Sequence, residues 1–206
     1  MAATLMPEIM TAFAAQHPGI ELRLRDADSR RAIDLIRDGE VDIGLLSQNE
    51  LIRELHFVPL FEDEFAALVP DKDHPLGNRT RVKLKELAKH PLLLNPRGVD
   101  LRESLERLFR NVGSTPQPSQ EIINTHALVS LVGFGFRVTI LPRLALRGLN
   151  LSRCRLLKVE PRASRQIGIV SARNRSDSPA ISALRKFLQL HAAQISAKSV
   201  AETSVS

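Results

Sequence analysis

The sequence predicts an α/β fold, and three observations carry that prediction. Leu128–Pro142 reads as an apolar helix that stops at Gly133-Phe134-Gly135, runs within a few residues into the apolar strand Val138–Leu141 and closes on Pro142. So short a passage from helix to strand is an α/β connection. Helical and strand periodicities alternate along the rest of the chain. Strand segments such as Leu92-Leu93-Leu94 are short and wholly apolar, the pattern of strands covered on both faces.

Taken in order, Thr4 caps a first helix with Pro7 in its first turn and Leu5, Ile9, Met10 and Phe13 on its apolar face. His17-Pro18-Gly19 stops it. Ile20, Leu22 and Leu24 alternate with Glu21, Arg23 and Arg25, which predicts a half-buried strand. Ser29 caps a second helix with Ala32, Ile33, Leu35 and Ile36 inside, closed by Gly39. Val41–Leu46 is a short strand expected in a parallel sheet.

A second block has a strand at Phe65–Val69, a charged loop from Pro70 to Asn78, a short helix at Leu84–Lys89 and the strand Leu92–Leu94. That strand ends in Asn95-Pro96-Arg97-Gly98. Leu101, Leu105, Leu108 and Phe109 mark the next helix, Pro116 and Pro118 a loop, and Ile122-Ile123 a strand. Asn124, Thr125 and His126 then open the helix of Leu128–Pro142. Strands follow at Leu156–Val159 and Gln166–Ser171. A last helix from Pro179 presents Ile181, Leu184, Phe187 and Leu188, and residues 193–206 are expected to form a disordered tail.

Composition narrows the class. The 206 residues can bury a real core as one large domain or two small ones, and 43% apolar with 25% charged residues is ordinary for a globular protein. No apolar run approaches the ~20 residues a membrane-spanning helix needs. Met1–Pro7 has neither the basic flank nor the apolar stretch of a secretory signal. Cys154 stands alone, which excludes an internal disulfide and fits a reducing, cytoplasmic setting.

The net charge of +6 is concentrated in residues 141–190, where eleven Lys and Arg face only Glu160 and Asp177. Such asymmetry is one mark of a nucleic-acid footprint. Here the charges are scattered over several elements, with eight Phe and no Trp or Tyr to stack bases, so an arginine-rich solvated face is the expectation.

Catalytic motifs fail in turn. Gly133-Phe134-Gly135 lacks the third glycine of a dinucleotide fingerprint and follows a helix instead of a strand. There is no phosphate loop and no nucleophile elbow. The six histidines never fall in metal-ligand spacing, so neither metal nor cofactor is expected. Glu62, Asp63 and Glu64 point different ways as neighbours in sequence and read as a solvated hinge, not as paired catalytic carboxylates. Nothing in the chain reads as an enzyme.

Taken as an ordered set, these segments resemble the effector-binding domain of LysR-type transcriptional regulators. The residues that carry the likeness are Leu5-Met6-Pro7 with Phe13, His17–Leu22, Leu35–Leu45, Leu60–Asp63, Asp73–Leu76, Val132–Gly135 running on to Leu141-Pro142, and Arg165–Val170. They span about residues 4–190. The resemblance implies two Rossmann-like subdomains joined by two crossover segments, a periplasmic-binding-protein-like fold of type 2. Subdomain I would be 1–62 plus 164–192 and subdomain II 63–163, with a small effector, expected to be a carboxylate, in the cleft between them. It further implies a homodimer or tetramer, no membrane partner, and DNA contact only through a winged helix-turn-helix that precedes this segment in the family. In the family a central strand also comes before the helix that here begins at Thr4; this sequence starts at Met1 without it. Arg137, where the family usually has glycine, is expected to project outward.

The family's effector positions carry over residue by residue. Ser29 matches the hydroxyl at the start of the second helix, where a helix start can hold a carboxylate. Asn124 and Thr125 match the equivalent start in subdomain II, and His126 beside them could add a charge that switches near neutral pH. Asn95 and Arg97 lie at the carboxyl edge of a strand, where open sheets bind ligands, with Arg97 as a carboxylate fork. The expected function is effector sensing without catalysis. The alternatives are a solute-binding protein of a transport system, which needs a signal peptide, and a small α/β enzyme of related fold, which needs carboxylates or a nucleophile in the cleft.

Overall fold

The computed structural model describes residues 4–202, with side chains as far as residue 194. In chain order the elements are α1 (Met6–Gln16), α2 (Ser29–Arg37), β1 (Gly44–Ser47), a 3-10 turn (Glu50–Ile52), β2 (His56–Pro70), β3 (Arg81–Lys83), α3 (Leu84–Leu87) and β4 (Leu92–Leu94). They continue as α4 (Asp100–Asn111), β5 (Pro118–Glu121), α5 (Thr125–Gly133), β6 (Val138–Pro142), α6 (Arg143–Leu146), β7 (Cys154–Glu160), β8 (Ser164–Ser171) and α7 (Pro179–Glu202). The chain forms two compact units. Unit 1 runs to Glu62 and resumes over Gln166–Lys198, and unit 2 is Asp63–Arg165 with the described end of α7 from Ser199, so β2 and β8 each begin in one unit and end in the other.

In unit 1, α1 buries Ile9 and Phe13, and Leu5 just before it is buried with them. Phe13 meets Phe187 of α7 edge-on, with ring centroids 5.3 Å apart, and His191 stacks on Phe187 at 4.1 Å while donating from Nδ1 to Phe187 O. The N-cap of α1 is Leu5, without a side-chain cap, so Thr4 lies one residue too early for the role expected of it. On α2 the apolar row Ile33, Leu35 and Ile36 is buried, each side chain contributing about 1.5–3 kcal/mol. Gly39, at φ +73°, makes the turn that ends the helix.

The strand expected from Ile20, Leu22 and Leu24 is not one. The alternation is present, but 20–28 pairs with no strand among the described residues, and Leu24 stays 46% exposed. A strand needs a neighbour to satisfy its N–H and C=O groups, and periodicity alone does not supply it. The strand expected at Val41–Leu46 is Gly44–Ser47, and it pairs antiparallel with β8, Gly44 opposite Val170 and Ser47 opposite Ile167. The expectation of parallel pairing was wrong because an apolar run reports burial and not direction.

Unit 2 is a mixed sheet. Its strands follow the order β3, β7, β2, β6, β4, β5, all mutually parallel except β2, which runs against both its neighbours. Ala66, Ala67, Leu68 and Val69 of β2 are fully buried, as a strand covered on both faces must be. Phe65, Ala67 and Val69 pack into the core under α3 and α4, against Leu84, Leu87, Leu105 and Phe109. Leu68 points the other way, to Leu128, Val129 and Val132 of α5. The strand expected at Ile122-Ile123 is displaced to Pro118–Glu121, and Ile123 is 72% exposed.

Two further expectations change. Asp63 is no part of a solvated hinge: its side chain is 1% exposed and is held by the α6 backbone and by Arg165. The arginine-rich face is not all solvated either, since Arg143 and Arg147 are buried. At the end of the chain α7 continues to Glu202, because Ala192, Ala193, Gln194 and their successors contain no glycine or proline to stop it. Of the tail expected at 193–206, residues 203–206 lie outside those described.

Candidate functional site

In unit 2 the carboxyl end of β4 and the start of α5 are tied together. Asn95 is buried, and its Nδ2 donates to Ile122 O at 3.0 Å and Ile123 O at 3.3 Å, the two residues that precede the cap of α5. Asn124 is that cap, its Oδ1 accepting from Ala127 N at 3.0 Å. The N–H groups of Thr125 and His126 precede the first intrahelical bond and are the free donors of the helix start. Asn95 Oδ1 is buried and has no hydrogen-bond partner among the described residues. An unpaired acceptor of this kind costs about 1–3 kcal/mol, so a donor brought to it is favourable.

The loop after β4 is set by a residue that the sequence analysis missed. Arg102 on α4 is only 2% exposed; its Nη1 donates to Asn95 O at 2.8 Å and Glu121 at 3.1 Å, and its Nε to Glu106 at 2.9 Å. Positions 102, 105, 106 and 109 share one helical face, so an Arg–Glu pair at i,i+4 beside buried Leu105 and Phe109 was the signal available. Arg97, by contrast, is 83% exposed and approaches Glu106 only at 3.7 Å. His126 is exposed and Thr125 half-buried. The structure therefore brings Asn95 to the segment that opens α5, and leaves Arg97 at the rim of the same loop.

Ser29 lies in unit 1, at the start of α2. It is not the cap: Asp28 is, accepting from Arg31 N at 2.9 Å. Ser29 is the first helical residue, half-buried, with no hydrogen-bond partner for its hydroxyl among the described residues. The two helix starts thus differ in charge. Asp28 puts a carboxylate on the positive end of α2, whereas α5 is capped by a neutral amide.

Arg137 is exposed on the turn between α5 and β6, where Gly135 takes φ +79°; its Nη1 donates to Phe136 O and its guanidinium lies over the Phe136 ring. Among the described residues there is no His/Cys/Asp/Glu group arranged to hold a metal, and no helix is long and apolar enough to cross a membrane.

The model of the LysR substrate binding domain matches residues 1–193. The uncharacterized HTH-type transcriptional regulator YybE of Bacillus subtilis (strain 168) is 27% identical over 192 residues; the match covers 93% of this chain and 65% of that regulator. The chain therefore spans less than two thirds of its relative's length. The effector binding domain of QuiR in complex with shikimate superposes with a TM-score of 0.81 at 22% identity, covering 94% of this chain and 93% of the other. The regulatory domain of CcmR from Synechocystis PCC6803, in complex with 2-PG, does so with 0.82 at 17% identity, covering 92% and 91%. At these identities the superpositions establish a shared fold.

Proposed function

This chain belongs to the LysR substrate binding domain family, and from that membership we propose that it is the effector-sensing domain of a transcriptional regulator and reads a small anionic metabolite. The observation that carries the reading is the start of α5. Two free N–H donors, the positive helix end and a neutral cap at Asn124 together favour a carboxylate or phosphate there. Asn95 stands beside it with an unpaired Oδ1 that a ligand hydroxyl satisfies. Arg97 supplies cationic reach at the rim, and His126 a ring N–H donor.

Charge orders the two helix starts. An anion at α2 meets the Asp28 carboxylate, so the anionic end of the effector belongs to Asn124, Thr125 and Asn95. The Ser29 hydroxyl, at the start of α2 in unit 1, offers a neutral polar contact instead. That QuiR is seen with shikimate and CcmR with 2-PG supports an effector that is both polar and acidic. Binding alters the balance of conformations and through it the packing of a homodimer or tetramer, while DNA is contacted by a helix-turn-helix beyond this segment. No catalytic step enters this function, and its setting is cytoplasmic. The relatives being regulators, a solute-binding protein of a transport system is the weaker reading.

Differential scanning fluorimetry against a panel of small carboxylates and phosphates, shikimate and 2-PG among them, tests this. At least one acid is expected to raise the melting temperature, with the rise reduced in Thr125→Ala and Ser29→Ala. Undiminished binding by both variants overturns the site.

A further inference from the structure

Unit 1 contains a cavity of about 620 Å³ made by the 3-10 turn, the first residues of β2 and Arg173, which follows β8. Its floor is apolar: Ile52 and Leu55 are buried and Phe57 is half-buried. The Phe57 ring lies so close over β8 that a Cβ on Gly168 would stand 2.5 Å from its Cζ, so this wall depends on glycine at that position. The rim carries Arg53, His56 and Arg173, and among the described residues no Asp or Glu lines the cavity.

Arg173 is held in place by main chain and not by a counter-charge. Its Nη2 donates to Arg53 O at 2.7 Å and its Nε to Leu55 O at 3.3 Å, and it makes no ion pair among the described residues. Arg53 does pair with Glu50 at 3.3 Å, but both side chains are about three-quarters exposed, where such pairs contribute little. Asp177, the carboxylate that senses His56, is already gripped by Arg185 at 2.7 and 3.1 Å. An uncompensated guanidinium with fixed direction above an apolar floor is the arrangement that accepts a carboxylate attached to an apolar body. The volume is within the range of small-ligand sites.

We propose that this cavity is a second ligand site, formed wholly by unit 1, for a small aromatic or branched aliphatic carboxylate, its acid group on Arg173 and Arg53 and its apolar part on Ile52, Leu55 and Phe57. It does not depend on the effector reading above, which uses other residues.

The test is an amide NMR titration of the chain with benzoate and with its uncharged counterpart benzamide. Benzoate is expected to shift the amides of residues 48–57 and 173 and benzamide to shift them far less. Affinity should fall about tenfold in Arg173→Met and in Arg53→Gln, the loss of a charge-assisted contact. Arg173→Met also removes two bonds to main chain, whereas Arg53 is exposed, so Arg53→Gln reports the contact without disturbing the turn. Three results overturn the proposal: no shift of these amides with benzoate, equal response to benzamide, or unchanged affinity in Arg53→Gln. Loss of these shifts in Ser29→Ala or Thr125→Ala overturns it as well, since neither residue lines the cavity.

Discussion

Arg165, at the end of the long segment of unit 2, grips Asp63, at its beginning, with Nε and Nη2 at 3.0 and 2.9 Å from the same carboxylate oxygen. The other oxygen accepts from Leu144 N at 2.9 Å, where α6 begins. One buried carboxylate thus holds both ends of the Asp63–Arg165 segment and a helix start. Removing it leaves a guanidinium and a backbone N–H without partners in a site where Asp63 is 1% and Arg165 13% exposed.

Asp63→Ala is therefore expected to lower unfolding stability by about 3–5 kcal/mol, the cost of breaking a buried pair from one side. Urea unfolding measures it. Asp63→Leu combined with Arg165→Met should lose much less, because no charge is then stranded. Equal losses in the single and double variants would show that the pair is not the source.

Asn124→Asp separates the capping role of this residue from its neutrality. A carboxylate caps α5 as well as the amide does and complements the helix dipole, so stability should stay within about 1 kcal/mol of the parent. The new charge repels an anion at Thr125 and His126, so the acid-induced rise in melting temperature should disappear. Asn124→Ala should instead cost about 1 kcal/mol of stability and weaken binding only partly. Retained binding in Asn124→Asp would remove the anion from the start of α5.

These contrasts mark where the sequence was readable. Rows of apolar residues at helical spacing found α4 and α5, and apolar runs found β4 and β6, since burial leaves a local trace. The Asp28-for-Ser29 shift was not readable because both residues cap well and differ only in which one the chain turns at. Ile20–Leu24 had the period of a strand, but pairing depends on a partner that no local pattern reports. Asp63 and Arg165 lie 102 residues apart, so each looked like an ordinary surface charge until the fold joined them. In the candidate site the polar side chains at helix starts were legible, whereas the Arg102 brace beneath Asn95 was hidden within an apolar stripe.

His74 gives unit 2 an acid limit. Its Nδ1 accepts from Leu76 N at 3.2 Å, and its ring lies 5.5 Å from that of His90. Burial, with the His90 charge second, holds its pKa below the usual 6.5. The folded state therefore favours the neutral ring. Its stabilisation is complete above 6.5 and is lost as the pH falls below that value toward the folded pKa. Melting temperature should decline over this range, and His74→Asn should flatten the decline. A parent and variant with parallel profiles would assign the acid sensitivity elsewhere.

Cys154 sets a limit at the alkaline side and bears on redox chemistry. The thiol is buried beneath α5, its Sγ donating to Val129 O at 3.7 Å. Burial, with Asp71 second, pushes its pKa from 9.0 up to about 11. A folded pKa above the unfolded one means that this stabilisation is intact below pH 9.0 and is lost as the pH rises toward about 11. Because the thiolate and not the thiol is the nucleophile, native Cys154 should resist iodoacetamide and peroxide at neutral pH and react once urea unfolds the chain. Mass spectrometry of the alkylated protein reads both states. Rapid native labelling at pH 7 would mean that α5 opens locally and often, and a helix that opens so readily could not hold Thr125 and His126 in place for an anion.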